Sequence, residues 1–189
     1  MPHVQSPLRL SADRSALLVV DLQEKLVPVI PSGEAVVKQT ERLIDAADRL
    51  DVPFAATVQY PQGLGNLVPP IANRVPEPEE KTAFSAAVCR QAIDSWANQG
   101  RDQIVIVGIE THVCVLQTVL DLIAEGFRVY VVAEAVASRH GRDHETAIGR
   151  MVICGATVLT AESVMFEWLG TSKHPEFKAI SQLVKKQRL

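Results

Sequence analysis

Short apolar runs alternate along the chain with longer stretches in which apolar residues recur every three or four positions. Residues 16–20 form a continuous apolar run of strand length, and 53–58, 103–107, 128–132 and 156–159 are mainly apolar runs of similar length. Runs of this kind, with no polar alternation, are typical of strands that are buried on both faces of a parallel sheet.

The amphipathic stretches between these runs predict helices. Their expected bounds are 33–50, 86–99, 113–125, 142–153, 162–169 and 175–186. The alternation of strands and helices predicts an α/β fold: a doubly wound, Rossmann-like, mainly parallel sheet of about six strands with helices on both faces. With 189 residues, the chain is expected to form a single domain, residues 1–189.

Polar residues follow three of the predicted strands directly. Asp21 ends the first, Gln59 and Tyr60 follow the second, and the segment 108–114 follows the strand at 103–107. Ligands of doubly wound sheets bind beyond the carboxyl ends of the strands. If these strands are neighbours, the three segments meet at one crevice. The connection 59–80 is rich in proline and glycine, and a loop of that length is usually functional or mobile.

Cys114 lies between a predicted strand end and a predicted helix start. A helix N-terminus carries unpaired N–H groups and a partial positive charge, which lower the pKa of a nearby thiol. The thiolate is the nucleophile in cysteine hydrolases. The alternative is a packed cysteine that behaves as a small hydrophobic residue, and Cys114 alone does not decide between them.

Asp21 and Lys81 are the candidate partners of this thiol. A carboxylate at Asp21 is suited to take the thiol proton and return it to a leaving group, although it could equally cap the next turn. Lys81 would keep that carboxylate ionised and favour a thiolate, whereas an isolated lysine is ordinarily solvated.

The segments around these three residues carry a resemblance. Val-Val-Asp-Leu-Gln at 19–23, Lys-Thr-Ala-Phe-Ser-Ala at 81–86 and Gly-Ile-Glu-Thr-His-Val-Cys-Val at 108–115 occur in the order and spacing of the isochorismatase-like cysteine hydrolase superfamily. Over nearly the whole chain, the segments 59–65, 108–117 and 174–178 resemble the isochorismatase domain-containing proteins more narrowly.

The resemblance implies a catalytic triad of Asp21, Lys81 and Cys114. It also implies a cis peptide bond between Ile109 and Glu110, and an oxyanion hole formed by the backbone N–H groups of Glu110 and Cys114. The implied activity is hydrolysis of a small amide-like C–N substrate through a covalent thioester. The resemblance further implies a homo-oligomer, a dimer or larger.

Two departures narrow this function. Nicotinamidases bind a metal through Asp and His residues after the second strand, but the segment 58–65 contains neither residue, so no metal and no other cofactor are expected. Isochorismatases proper cleave a vinyl ether without a cysteine nucleophile, so Cys114 argues against that reaction.

Five other residues are candidates for the pocket. Glu110 replaces a residue that is often small in the amidases, and it either faces the pocket and disfavours anionic substrates or pairs elsewhere. His112 is expected at the pocket edge, because side chains at positions i and i+2 of a helix start diverge and do not form a dyad. Gln23, Tyr60 and Phe84 either line the pocket or are ordinary packing and helix-start residues.

The remaining histidines and cysteines are expected to have no chemical role. The four histidines predicted at the surface are His3, His140, His144 and His174. Cys89 and Cys154 lie on helical patterns and are predicted to be packed thiols. The basic cluster 185–188 is interpreted as a solvated helix end.

Composition excludes several classes of function. A net charge of −3 and a pI near 6.0 provide no basic face for nucleic acid. The chain contains no apolar run near the ~18 residues of a membrane span. Three widely spaced cysteines and the absence of a signal peptide favour the reducing cytoplasm.

Two other functions are alternatives to the hydrolase. One is a non-catalytic or redox-responsive oligomeric binding protein that retains the hydrolase fold and a reactive thiol. The other is a dinucleotide-binding protein, which the absence of a G-x-G-x-x-G motif makes weak.

Overall fold

The computed structural model describes residues 4 and 6–185, and its strands form one parallel six-stranded sheet. The strands are β1 (Ser15–Val20), β2 (Phe54–Gln59), β3 (Glu79–Lys81), β4 (Gln103–Ile109), β5 (Arg128–Ala137) and β6 (Thr157–Leu159). Their order is β3-β2-β1-β4-β5-β6, and every neighbouring pair is parallel. The predicted fold class is confirmed.

Helices connect these strands and cover both faces of the sheet. They are α1 (Gly33–Arg49), α2 (Pro61–Leu64), α3 (Pro69–Ala72), α4 (Arg90–Asn98), α5 (Leu116–Ala124), α6 (Gly141–Ile153), α7 (Ala161–Leu169) and α8 (Phe177–Lys185). Single 3₁₀ turns occur at Ala12–Arg14, Val27–Val29 and Ala86–Val88, and a wide π-type turn spans Thr111–Val115.

Alternate residues of β1 feed two separate hydrophobic cores. Leu17 and Val19 join the core beneath α1, α7 and α8, whereas Leu18 and Val20 join the core beneath α4, α5 and α6. Because both faces of the strand are covered, its sequence is apolar from Ala16 to Val20. This double burial explains why the strands at the centre of the sheet could be recognised as uninterrupted apolar runs.

The register of the sheet aligns the ends of its three central strands. Val20 of β1 lies opposite Thr57 of β2 on one side and Gly108 of β4 on the other. The strand order reverses between β1 and β4, which is the switch point where doubly wound sheets bind ligands. The residues that follow these strands therefore converge on one place.

The long connection 59–80 is more ordered than predicted. It contains α2 and α3 and leads into β3, which pairs with β2 at the edge of the sheet. The sequence of β3 is Glu-Glu-Lys, so it has no apolar run to mark it as a strand. The predicted helix 86–99 is also interrupted, because Cys89, with a ψ of 88°, is not helical and separates a 3₁₀ turn from α4.

Some predictions for single residues are wrong. Cys154 is exposed, because it follows the last turn of α6, whose core-facing residues are Ala147 and Met151. His144 is half-buried and bonded within the fold rather than at the surface, and His174 is half-buried. Cys89 is buried, as predicted.

Parts of two predictions fall outside the described residues: His3, and positions 186–188 of the basic cluster. Over the part of the chain that is described, no helix combines the length and apolar character needed to cross a bilayer.

Candidate active site

Asp21 is held at the end of β1 in an uncommon backbone conformation. Its φ is 52°, a left-handed value that side chains other than glycine seldom adopt. The Asp21 N–H donates to the Thr57 carbonyl, and the Thr57 hydroxyl donates to Asp21 Oδ1 at 2.8 Å. The carboxylate is fully buried. Its direction is therefore fixed from the neighbouring strand.

Lys81 reaches the same carboxylate from the edge of the sheet. Its Nζ donates to Asp21 Oδ2 at 2.6 Å, and both side chains have 0% exposure. The ammonium also donates to Gln59 Oε1 at 2.8 Å and to the Phe84 carbonyl at 3.0 Å. A buried charge is costly unless it is paired and its remaining hydrogen-bonding capacity is used, and both conditions are met here.

Two glutamines support this ion pair. The Gln59 amide accepts from Lys81 and donates to the Thr82 carbonyl at 2.7 Å. The buried Gln23 side chain accepts from the Gln59 N–H at 2.8 Å and donates to the Gln59 carbonyl at 3.0 Å. Gln23 thus holds the end of β2 by the backbone, and it does not begin a helix.

Gly108 allows β4 to approach β1 closely just before the cysteine. Its φ is 119°, and a Cβ at this position would lie 2.0 Å from the Val20 carbonyl oxygen. Any other residue would therefore push the two strands apart. Because the two strands are close here, the turn that carries Cys114 lies next to Asp21, the residue that follows β1.

Cys114 lies inside the π-type turn, with 7% of its surface exposed. Burial first, and then the negative charge of Asp21, raise the pKa of its thiol to about 12, although the positive charge of Lys81 acts in the opposite direction. The prediction of a lowered pKa is wrong. Loss of hydration outweighs the lysine, and the resting group is a neutral thiol.

The peptide bond between Ile109 and Glu110 is cis, at the position that the resemblance implies. The Glu110 N–H makes no hydrogen bond within the described residues. The Glu110 carboxylate accepts from the Arg139 N–H at 2.9 Å and from Arg139 Nε at 3.1 Å. Of the two alternatives for Glu110, the structure shows pairing elsewhere.

His112 forms no bond with Cys114 among the described contacts. Its Nδ1 lies 2.9 Å from Ser138 Oγ, and its Nε2 lies 3.9 Å from Asp143 Oδ2. The neighbouring Thr111 bonds to His144 at 2.9 Å. His112 therefore points toward the segment after β5, which agrees with the expected divergence from Cys114.

Tyr60 and Phe84 flank Lys81 through their backbones. The Tyr60 N–H donates to the Lys81 carbonyl at 2.9 Å, and the Phe84 carbonyl accepts from Lys81 Nζ. Both side chains are about half exposed. A role for their rings in holding a ligand stays a prediction.

Thr57 was not singled out by the sequence. Thr57 and Gln59 are polar residues at alternate positions of an otherwise apolar strand, and they lie on the same side of β2. This alternation of polar and apolar residues is the feature of the sequence that indicates a polar site beside β2. Among residues 4 and 6–185, no group of three or more His, Cys, Asp or Glu side chains is arranged to hold a metal ion.

Comparison with known proteins supports the resemblance. A family model described as the isochorismatase domain matches residues 15–163. Isochorismatase domain-containing protein 2A of Mus musculus is 37% identical over 180 residues, which cover 94% of this chain and 85% of the mouse protein. The Homo sapiens isochorismatase domain-containing protein 2 is 37% identical over 172 residues, 90% of this chain and 83% of the human protein.

A solved structure is similar over almost the whole fold. The MAR1 ribonuclease of Caenorhabditis elegans superposes with a TM-score of 0.88 at 38% sequence identity. The alignment covers 96% of this chain and 94% of the nematode chain.

Proposed function

This chain belongs to the isochorismatase-like hydrolase family, and we propose that it is a metal-independent cysteine hydrolase of small, neutral, amide-like substrates. Asp21, Lys81 and Cys114 are its catalytic residues, in one domain that spans residues 1–189. The reaction passes through a thioester on Cys114.

The observation that carries the proposal is the buried ion pair beside the thiol. Asp21 and Lys81 come from opposite ends of a 60-residue stretch and pair at 2.6 Å without exposure to water. Such a pair contributes little net stability compared with well-packed apolar residues. Titratable groups that are buried together with a cysteine at the switch point of a doubly wound sheet are typical of a catalytic centre.

The raised pKa of Cys114 determines the first step. A neutral thiol is a weak nucleophile, so Asp21 accepts the thiol proton as the sulfur bonds to the substrate carbonyl carbon. The carbonyl oxygen becomes an oxyanion, and the N–H groups of Glu110 and Cys114 stabilise it. The free Glu110 N–H supports this role.

The second half of the reaction returns the proton. Protonated Asp21 donates to the amine nitrogen, the C–N bond breaks, and the amine leaves a thioester on Cys114. Asp21 then takes a proton from water as the water oxygen attacks the thioester. The sulfur leaves and recovers the proton from Asp21, which releases the carboxylic acid. Lys81 keeps a positive counter-charge beside Asp21 throughout.

The charges around the thiol favour a neutral substrate. Asp21 and Lys81 neutralise each other, and the Glu110 carboxylate is neutralised by Arg139. No unpaired charge is thus provided by these four groups to bind a strongly charged acyl group. The half-exposed rings of Tyr60 and Phe84 provide apolar surface at the Lys81 side of the site.

Intact mass spectrometry on a panel of small neutral amides and esters tests the proposal. We expect an acyl adduct that is lost in Cys114→Ala and retained in Cys89→Ala, which removes the other buried thiol. A panel without turnover and without an adduct on Cys114 would refute the enzyme and favour the non-catalytic alternative.

The name of the nematode relative raises RNA as a competing substrate. The net charge of −3 does not favour RNA binding, and Lys81 is buried and already paired. An RNA oligonucleotide in the same panel tests this substrate. RNA cleavage that persists in Cys114→Ala would show that the chain has an activity that does not use the thiol.

The proposal includes a homo-oligomer. Val152 and Ile153 at the end of α6 are adjacent exposed apolar residues, with Ile153 87% exposed, and association would cover them. Analytical ultracentrifugation tests this point, and a monomer at every concentration would contradict it.

A further inference from the structure

One segment, which follows the neighbouring strand β5, holds three consecutive residues at the start of the turn that carries Cys114. This segment, residues 138–144, runs from the end of β5 into the first turn of α6 and is called the clamp segment below. Glu110 bonds to Arg139, Thr111 bonds to His144, and His112 bonds to Ser138. None of the clamp residues belongs to the proposed triad.

We propose that the clamp segment positions the oxyanion hole, with Arg139 as its principal positioning residue. This inference rests on the proposed function, because it concerns the same site. Arg139 does not touch the reacting atoms. It acts through Glu110, whose backbone N–H is the proposed oxyanion donor.

The geometry at Glu110 supports this role. Arg139 holds the Glu110 carboxylate at two points, with its N–H at 2.9 Å and its Nε at 3.1 and 3.2 Å. A side chain held at two points cannot rotate freely, so the peptide group to which it is attached is restrained as well. Charge-assisted hydrogen bonds to a carboxylate are roughly twice as strong as neutral ones.

The bonds at Thr111 and His112 extend the restraint along the turn. Thr111 is fully buried, and burial lowers the pKa of His144, so the His144 ring is neutral near pH 7 and accepts or donates one hydrogen bond without a charge. Ser138 is buried as well. The turn is thereby fixed at each residue from 110 to 112.

Stability alone gives little reason for the Arg139–Glu110 pair. The Arg139 side chain is 54% exposed and that of Glu110 is 11% exposed, and water around an exposed arginine weakens the contribution of its ion pair to folding. Positioning has larger consequences, because a displacement of about 1 Å of a catalytic group can cost up to about 100-fold in rate. The clamp therefore predicts a chemical effect without a matching stability effect.

Two reagents separate the oxyanion hole from the thiol. p-Nitrophenyl acetate acylates Cys114 when the sulfur bonds to the carbonyl carbon, p-nitrophenolate leaves, and Asp21 keeps the thiol proton. This step builds an oxyanion. Iodoacetamide alkylates the sulfur by displacing iodide from carbon, and no oxyanion forms. Only acylation depends on the Glu110 N–H.

Arg139→Ala should slow the acylation of Cys114 about tenfold and leave its alkylation within about twofold of wild type. Arg139→Lys should restore part of the rate. Arg14→Ala, which breaks the Arg14–Asp102 pair at the amino ends of the central strands β1 and β4, should change neither rate. Equal changes in both reactions, or no change in acylation, would overturn the clamp.

Hydrogen exchange tests the positioning role of the clamp segment independently of the proposed hydrolase activity. Wild-type Cys114 that is never acylated would refute the hydrolase. In that case, amide exchange of a peptide covering residues 108–116 still decides the clamp. We expect about fivefold faster exchange in Arg139→Ala and a larger increase in Glu110→Ala. Unchanged exchange in both variants would overturn the positioning role.

Discussion

Replacing Asp21 with asparagine should make Cys114 more reactive toward iodoacetamide although it abolishes turnover. The carboxylate is the proposed general base, so the catalytic cycle stops without it. The same carboxylate raises the pKa of the thiol, so its removal leaves the positive charge of Lys81 to stabilise a thiolate. Turnover should therefore fall while the labelling of Cys114 becomes faster, and a misfolded variant would not show this combination.

The magnitude follows from the ionisation of the thiol. With a pKa of about 12, roughly 3 thiols in 100,000 are ionised at pH 7.5. The loss of a neighbouring full charge commonly moves a pKa by about 1–3. A fall of about 2 raises the thiolate fraction about 100-fold. Because a less basic thiolate is intrinsically less nucleophilic, with a Brønsted coefficient of about 0.4–0.5, the net gain is about tenfold.

Peptide mass spectrometry after timed labelling from pH 6.5 to 9.5 measures the effect. The assay uses a Cys154→Ser background, because Cys154 is exposed and reacts with the reagent first. Cys89 is an internal reference, since Asp21 is the weakest of the influences that raise its pKa. Asp94→Asn, at an exposed carboxylate, is the matched control.

Two results would refute the reasoning. Unchanged or slower labelling of Cys114 in a folded Asp21→Asn protein would mean that Asp21 does not control the thiol. An equal rise in the labelling of Cys89 would indicate a general loosening of the fold, and circular dichroism would check this.

Three other perturbations test the energetics of the site. Lys81→Met should lower the free energy of unfolding, measured by urea denaturation, by about 3–5 kcal/mol because it leaves a buried carboxylate unpaired. Arg49→Met, which breaks a half-exposed pair, should lower it by less than about 1 kcal/mol. Equal losses in the two variants would contradict this difference. The Cys114 pKa is raised from 9.0 to about 12, so the unfolded chain loses this proton at a lower pH than the folded chain does. The contribution of this thiol to the free energy of unfolding should therefore be fully present below pH 9 and fall by about 1.4 kcal/mol per pH unit above pH 9. Denaturation at pH 9–11 should show a slope that is flatter by this amount in Cys114→Ala, and identical slopes would refute the raised pKa. Gly108→Ala should destabilise the fold by more than about 2 kcal/mol because its methyl group meets backbone, whereas Gly149→Ala, in an open helical position, should stabilise it by about 0.5–1 kcal/mol; a harmless Gly108→Ala would show that the strands can separate.

The apolar pattern predicted most of the fold because the central strands are buried on both faces. It missed β3, since an edge strand of Glu-Glu-Lys has no hydrophobic signature and is defined by its pairing with β2. The motifs predicted that Asp21, Lys81 and Cys114 belong together, and the structure places them at one end of the sheet.

Properties that depend on tertiary surroundings were not predictable. The pKa of Cys114 was predicted in the wrong direction, because a sequence shows the helix start and the lysine but does not show how much water the fold excludes. Glu110 could not be assigned either, since its partner Arg139 is 29 positions away and is brought near only by the β4–β5 pairing. Local patterns thus identify the reactive groups, and burial decides their charge states.

The residue at position 108 indicates which related sequences are expected to be catalytically active. The cysteine alone is a poor marker, because a thiol can persist as packing after its chemistry has been lost. The approach of β4 to β1 requires a residue without Cβ, and a Cβ there would lie 2.0 Å from the Val20 oxygen. A homologue that keeps Cys114 but carries a larger residue at this position should be classified as one whose acid and thiol no longer meet.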